Sequence, residues 1–299
     1  MRRLPLLFVL TMSFTPICAD ESPARPPIKG IADVVISATS LPSVFYTGFL
    51  SLADAAHDPS CLGSEQCMLV NSHQRIELTQ AGSPASNSLL ELIVFETTNL
   101  DQLRSYLTSR GVSVREFPTA GRSAKWIHAA DPEGHRIGFV QTDASTFKSN
   151  PGQASQRLIH AGFVVHDRAA EDKFYKDILG FHVYWHGGMK EGEDNWVDMQ
   201  VPDGTDWIEY MLKVPDNATH KQLGVMNHIA LGVPDIHAAQ QQLIKNGWKG
   251  TEEPKIGRDG KWQLNLYDPD ETRVELMEFK PTKEPCCSPY TGPHPGPAQ

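Results

Sequence analysis

The chain has 299 residues, enough for about two domains of ordinary size. Its apolar content of 40 % and charged content of 21 % are those of a soluble globular protein. A formal net charge of −9 argues against binding to nucleic-acid phosphates and against a polybasic membrane anchor.

The N-terminus reads as an export signal. Arg2 and Arg3 precede "LPLLFVLTMSF", an apolar run too short to span a bilayer, and "TPICAD" offers cleavage after Ala19. The signal is assigned to 1–19, which places the mature protein in the periplasm or outside the cell, with no membrane attachment after cleavage. Ile17 stands where a lipoprotein signal carries a small residue, so Cys18 is expected to leave with the signal. Cys61 and Cys67 lie close together in a polar loop and are expected to pair in an oxidising compartment. At the other end, the Pro-rich segment 281–299 holds Cys286 and Cys287 but has no core-forming pattern. It is expected to be disordered and to have no catalytic role.

Between these ends one unit recurs four times. "IADVVISATSLPSVFYTGFLSL" has a strand followed by a helical stretch containing Phe45 and Tyr46, and it leads to "QRIELTQ". "LELIVFETTNLDQLRSYLTSRGV" leads to "WIHAADPEGHRIGFVQ". From His160, the strand "HAGFVVHD" and the helical "RAAEDKFYKDILGF", stopped at Gly180, precede "FHVYWHG", "NWVDMQV" and "DWIEYMLKV". From His228, "HIALGVPD" and "IHAAQQQLIKNGW" precede "KWQLNLYD" and "TRVELMEFK". Phe174 and Tyr175 repeat Phe45 and Tyr46, and the turn at Asp268 and Pro269 repeats Asp131 and Pro132. The pattern predicts an α+β protein of four βαβββ modules, at roughly 30–81, 88–143, 157–214 and 225–280. One module is too small for a good core. Paired, the modules give two curved-sheet domains, over 30–145 and 157–280.

Strand alternation then singles out four residues. Ala161, Phe163 and Val165 share one face of their strand, and His160, Gly162 and Val164 the other. Ile229, Leu231 and Val233 pack, and His228 heads the row opposite. Glu209 and Glu275 sit mid-strand among bulky apolar neighbours, where an isolated carboxylate costs several kcal/mol. Arg273 is one candidate to relieve Glu275 by an ion pair. Yet His160 precedes Glu209 by 49 residues and His228 precedes Glu275 by 47, so the same pair stands at matching places in two repeats. Two imidazoles and two carboxylates suit one divalent first-row metal, Zn, Ni, Co, Mn or Fe(II), and compensate its charge.

The first half lacks this set. Repeat alignment puts Ile31, Leu92 and Gly138 where His160, His228 and Glu275 stand, and only Glu77 keeps a ligand type. Domain 1 is therefore read as a metal-free support or lid. His57, His73, His128 and His135 are read as surface histidines and His237 as solvated. His182, His186 and His220 are candidates to line the cavity.

"NHIALGV" and "YDPDETRVELMEF" resemble segments of glyoxalase I, and nearly the whole mature chain resembles the vicinal oxygen chelate superfamily of glyoxalases, extradiol dioxygenases, epimerases and resistance proteins. The resemblance implies glyoxalase-like domains and a metal held by His160, Glu209, His228 and Glu275. It implies a lyase or isomerase acting on a small molecule with vicinal oxygens through an enediolate-type intermediate, with Glu275 as the catalytic base and Glu209 as its companion. Export separates the chain from glyoxalase I itself, which uses a chiefly cytoplasmic thiol. A metal-free domain before a metal-bearing one is also the layout of two-domain extradiol dioxygenases, in which His160, His228 and Glu275 would form an Fe(II) triad and Glu209 would be surplus. A non-catalytic small-molecule binding or resistance protein is the third reading. The expected assembly is a monomer or homodimer.

Overall fold

The computed structural model describes residues 23–39, 43–55, 58, 61, 62, 64–80, 89–116, 125–141 and 150–297. The expected signal over 1–19 lies outside the described residues, as does His57.

Among the described residues, sixteen strands form two eight-stranded sheets of identical topology. The first contains β1 (Ile28–Ala38), β2 (Ala53–Asp54), β3 (Gln66–Leu69), β4 (Arg75–Gln80), β5 (Leu90–Thr97), β6 (Arg115–Glu116), β7 (Trp126–Ala130) and β8 (Arg136–Val140), in the order β2-β3-β4-β1-β5-β8-β7-β6. The second contains β9 (Leu158–Val164), β10 (His182–Gly187), β11 (Trp196–Gln200), β12 (Trp207–Met211), β13 (His228–Val233), β14 (Lys255–Ile256), β15 (Trp262–Tyr267) and β16 (Arg273–Glu278), in the order β10-β11-β12-β9-β13-β16-β15-β14. Each half-sheet is one module, and the modules join through their first strands, β1 against β5 and β9 against β13, both antiparallel. This is the α+β architecture of paired modules that the repeats predict.

Helices cover one face of each sheet. Module 1 has a π-helical stretch Val44–Phe49, module 2 has α1 (Leu100–Ser109), module 3 has α2 (Arg168–Asp172) running into a π-helical stretch Lys173–Ile178, and module 4 has α4 (Ile236–Lys245). A short α3 (His220–Met226), which the repeat does not predict, precedes β13 and carries a Thr219–Gln222 capping box. The helix-side residues Ala161, Phe163, Ile208, Tyr210, Ile229, Leu231, Val274 and Leu276 all enter the main apolar core. The other faces of the same strands are left to line a cup.

The two recurring sequence features meet in space. Tyr46 donates its hydroxyl to Asp268 Oδ2 at 3.1 Å, and Tyr175 donates to Asp131 Oδ2 at 3.2 Å. The Asp-Pro turn of each domain is thus gripped by the tyrosine of the other. Asp206, buried at the start of β12, adds a third tie: its Oδ2 accepts Ile31 N and the Gln74 amide of the first domain, and its Oδ1 accepts Arg157.

The C-terminal segment corrects the expectation of disorder over 281–299. Residues 281–297 form an ordered strap joining the two ends of the second sheet. Thr291 N donates to Tyr184 O on β10 at 3.0 Å, and His186 N donates to Ser288 Oγ at 2.9 Å. At the far end, Thr282 N donates to Gly260 O and Cys286 N to Arg258 O, in the loop after β14. Tyr290 packs on Tyr184 with ring centroids 4.7 Å apart. Proline removes donors but leaves carbonyls available, and here the strap covers the otherwise open edge strand β10. Both cysteine pairs are disulfides, Cys61 with Cys67 and Cys286 with Cys287.

Removal of residues 284–299 should expose Tyr184 and the β10 edge. We expect a two-state thermal melt to lose about 3–5 kcal/mol, the scale of deleting a large buried aromatic side chain. An unchanged melting temperature would show that the strap contributes no stability.

Candidate metal centre

The cup of the second sheet brings the four predicted residues together. His160 lies on β9, Glu209 on β12, His228 on β13 and Glu275 on β16, the four central strands. His160 Nε2 and His228 Nε2 are 3.0 Å apart. Glu209 Oε2 lies 3.0 Å from His228 Nε2 and 3.8 Å from His160 Nε2. Glu275 Oε2 lies 3.7 Å and 3.9 Å from the same two nitrogens. Ligands bonded at about 2.0–2.2 Å to a first-row dication stand roughly 3.0–3.5 Å from their neighbours. His160, Glu209 and His228 therefore come close to sharing one coordination shell, and Glu275 stands at its edge.

The protonation pattern fits as well. His228 Nδ1 lies 3.0 Å from Met226 O, which can only accept, so the proton sits on Nδ1 and the Nε2 lone pair faces the cup. Burial, reinforced by Arg273 and for His160 by His228, holds both imidazoles well below their ordinary pKa, in the neutral form a metal requires. Burial also pushes Glu209 and Glu275 up to about 7, against the pull of Arg273. His160 also stacks at 4.8 Å on Trp207, which fixes its ring.

Gly162 makes the convergence sterically feasible. It lies opposite both His228 and Glu209 in the strand registers, and a Cβ there would stand 2.1 Å from the His228 ring. Sequence reading placed Gly162 on the cup face without assigning it this role.

A cavity of about 310 Å³ opens over the four residues, at the small end of ligand pockets. His160, Glu209 and Glu275 reach it, together with Trp185, Trp196, Asp198 and Asp259. None of His182, His186 and His220 lines it: His186 pairs with Asp194, and His220 meets the Asp270 carbonyl. Behind the cavity Lys261 is fully buried. Its Nζ lies 4.4 Å from the Trp207 ring centroid and 5.1 Å from that of Tyr290, so the strap closes the back of the site.

The first domain holds the same positions with other residues. Leu92 and Gly138 occupy the places of His228 and Glu275 as the repeat predicts, but strand pairing puts Asp33, and not Ile31, at the place of His160. The link from strand to helix is shorter in the first module, which misaligned a comparison anchored on the helix. Asp33 is buried beside Glu77 and Arg75, and Glu77 accepts the backbone N–H groups of Leu62 and Ser64 next to the Cys61–Cys67 bridge. There Glu77 caps a loop.

Residues 157–276 match the model of the Glyoxalase/Bleomycin resistance protein/Dioxygenase superfamily. The chain is 27 % identical over 129 residues to the lactoylglutathione lyase of Haemophilus influenzae, covering 42 % of this chain and 96 % of that one. It is 23 % identical over 170 residues to a probable chloroplastic lactoylglutathione lyase of Arabidopsis thaliana, covering 56 % of this chain and 47 % of that protein, less than half of its own length. The fold resembles that of homoprotocatechuate 2,3-dioxygenase from B. fuscum, with a TM-score of 0.64 and 18 % identity, over 88 % of this chain and 74 % of that one. It also resembles the 2,3-dioxygenase LapB from Pseudomonas sp. KL28, with a TM-score of 0.62 and 16 % identity, over 92 % and 96 % of the two chains.

Two outcomes follow from this geometry. Gly162→Ala should displace the His228 ring and weaken Zn(II) or Mn(II) binding about tenfold or more, while circular dichroism stays that of the parent. Because both carboxyls carry protons below about pH 7, metal must displace them there. Affinity measured by competition with a chelator should therefore rise with pH up to about 7 and level off above it, by roughly tenfold per pH unit for each proton released. A flat profile would show that neither carboxyl loses a proton to the metal.

Proposed function

We propose that this chain, whose residues 157–276 match the Glyoxalase/Bleomycin resistance protein/Dioxygenase superfamily, is a metal-dependent lyase or isomerase of the vicinal oxygen chelate type, acting on a small molecule with two neighbouring oxygens. The observation that supports this reading is Glu209: its Oε2 stands 3.0 Å from His228 Nε2, so two histidines and two glutamates are available as donors around the cup. A divalent metal bound by His160, Glu209, His228 and Glu275 would supply a Lewis acid that polarises both substrate oxygens.

The chain's own residues divide the remaining work. Glu275 Oε2 stands farther from both imidazoles than Glu209 Oε2 does from His228, so it is the freer of the two to take a proton from the carbon next to a carbonyl. Glu209, 14 % exposed at its side chain against 4 % for Glu275, faces the cavity and returns the proton from the other side. A carboxyl raised to about 7 by burial is matched to proton transfer near neutrality. Trp185, Trp196 and Trp207 keep bulk water away from the transfer.

The two-domain layout shared with the extradiol dioxygenases favours a second reading, Fe(II)-dependent ring cleavage by a triad of His160, His228 and Glu275. Glu209 separates the two. We also propose that the protein is exported. The support is the sequence of 1–19 and the two disulfides among the described residues.

Glu209→Gln should lower metal affinity or turnover by about an order of magnitude or more. Unchanged metal content and turnover would support the triad. Glu275→Gln should be severe under either reading and serves as the control. Oxygen uptake on a catechol by the anaerobically purified Fe(II) form would overturn the lyase assignment. Intact-mass analysis of secreted material should show a chain beginning at Asp20, and retention of Met1 to Ala19 would refute export.

A further inference from the structure

The rim of the metal cup carries three cations with no carboxylate at ion-pair distance among the described residues, in a chain whose net charge is −9. Arg273 is the innermost. It precedes Glu275 by two residues on β16, so both project from the same face, and it lines the cavity. Among the described residues it forms no hydrogen bond and no ion pair, and its Nε is buried without a partner. The sequence-based alternative of an ion pair between Arg273 and Glu275 is not what the structure shows. That N–H has lost water and gained no hydrogen bond in return, while the rest of the half-buried guanidinium stays open to the cavity.

Lys255 and Arg258 stand farther out on the same wall. Arg258 donates Nε to Gly188 O at 3.1 Å, and the strap holds its backbone through Cys286 N, so its position is set while its charge is unanswered. The four acids of the cup, Asp198, Glu209, Asp259 and Glu275, are matched in number by these three cations and Lys261 behind them. A bound dication would therefore leave the cup with a positive excess.

We propose that this rim is the subsite for a carboxylate carried by the substrate, with Arg273 as the residue that reads it. The substrate is then an anionic compound whose two vicinal oxygens point at Glu209 and Glu275 and whose carboxylate points at Arg273, its body lying against Trp185 and Trp196. The placement of the oxygens rests on the metal-centre reading above. The carboxylate subsite rests on the unpaired guanidinium. Arg273 acts here as a specificity-determining residue, and it offers a planar fork that fits a carboxylate through two hydrogen bonds.

Calorimetry on the full chain loaded with Mn(II), without oxygen, tests this with 3,4-dihydroxybenzoate and its methyl ester. Both probes carry the same vicinal oxygens and differ in charge. The acid should bind about tenfold or more tightly than the ester. Arg273→Gln should remove that advantage without changing ester affinity, and Arg273→Lys should restore part of it. Equal affinities in the parent protein, or an advantage that survives Arg273→Gln, would overturn the proposal. Benzoate against benzamide on the metal-free protein, followed by ligand-observed NMR, separates the two layers. If neither diol binds but benzoate binds through Arg273, the vicinal-oxygen reading fails and the carboxylate subsite stands. If both diols bind alike and benzoate shows no preference over benzamide, the carboxylate subsite fails and the vicinal-oxygen reading stands.

Discussion

The constraint on which the second domain is built is the burial of two carboxylates, each with an oxygen within 4 Å of both members of a pair of imidazoles. Such a cluster is costly in an apolar interior unless something positive compensates it. Every feature around it serves convergence or compensation. The pairing of β9 with β13 brings the two histidines into contact, and the parallel pairing of each with a glutamate strand completes the set. Gly162 leaves room for one ring, Trp207 fixes the other, and Lys261 and Arg273 sit behind and above.

The duplication explains why one domain carries the chemistry and the other does not. Both sheets have the same strand order, and both Asp-Pro turns accept a tyrosine from across the domain boundary. Those ties are symmetric because they maintain the assembly. The cup faces are under no such requirement. In the first domain Leu92 and Gly138 replace two ligands, and Glu77 is spent on capping a loop. Its sheet still supplies Ile31 and Gln74 as partners for Asp206, at the base of the strand that carries Glu209.

The strap gives the second cup its remaining wall. It ties β10 to the loop after β14, the two ends of an open curved sheet, and it supplies Tyr290 to the aromatic box around Lys261. Ammonium groups are rarely buried without a hydrogen bond, and three ring faces and nearby carboxylates provide the substitute here. The same strap fixes Arg258 at the rim, so the segment that looks least structured in sequence reaches both the back and the mouth of the site.

Side-chain alternation along a strand is a local property, so the sequence by itself determined which residues face the core and which face the cup. Repetition then picked His160, Glu209, His228 and Glu275 out of the cup rows, because the same pair recurs at nearly the same spacing. The four modules and their pairing into two domains follow from the same repeats. Other features depend on which distant segments touch, and only the tertiary structure decided them. Asp33 stands where a helix-anchored alignment placed Ile31, because the strand register sets equivalence and a shorter link had shifted the helix. The tail is ordered because carbonyls and aromatic rings bind to an edge strand and a loop, which leaves no periodic trace in its own residues. Arg273 looked like the partner of Glu275 because neighbours on one strand face share a side. It proved unpaired because the orientation of a long side chain is set by the cavity it enters and not by its spacing along the chain.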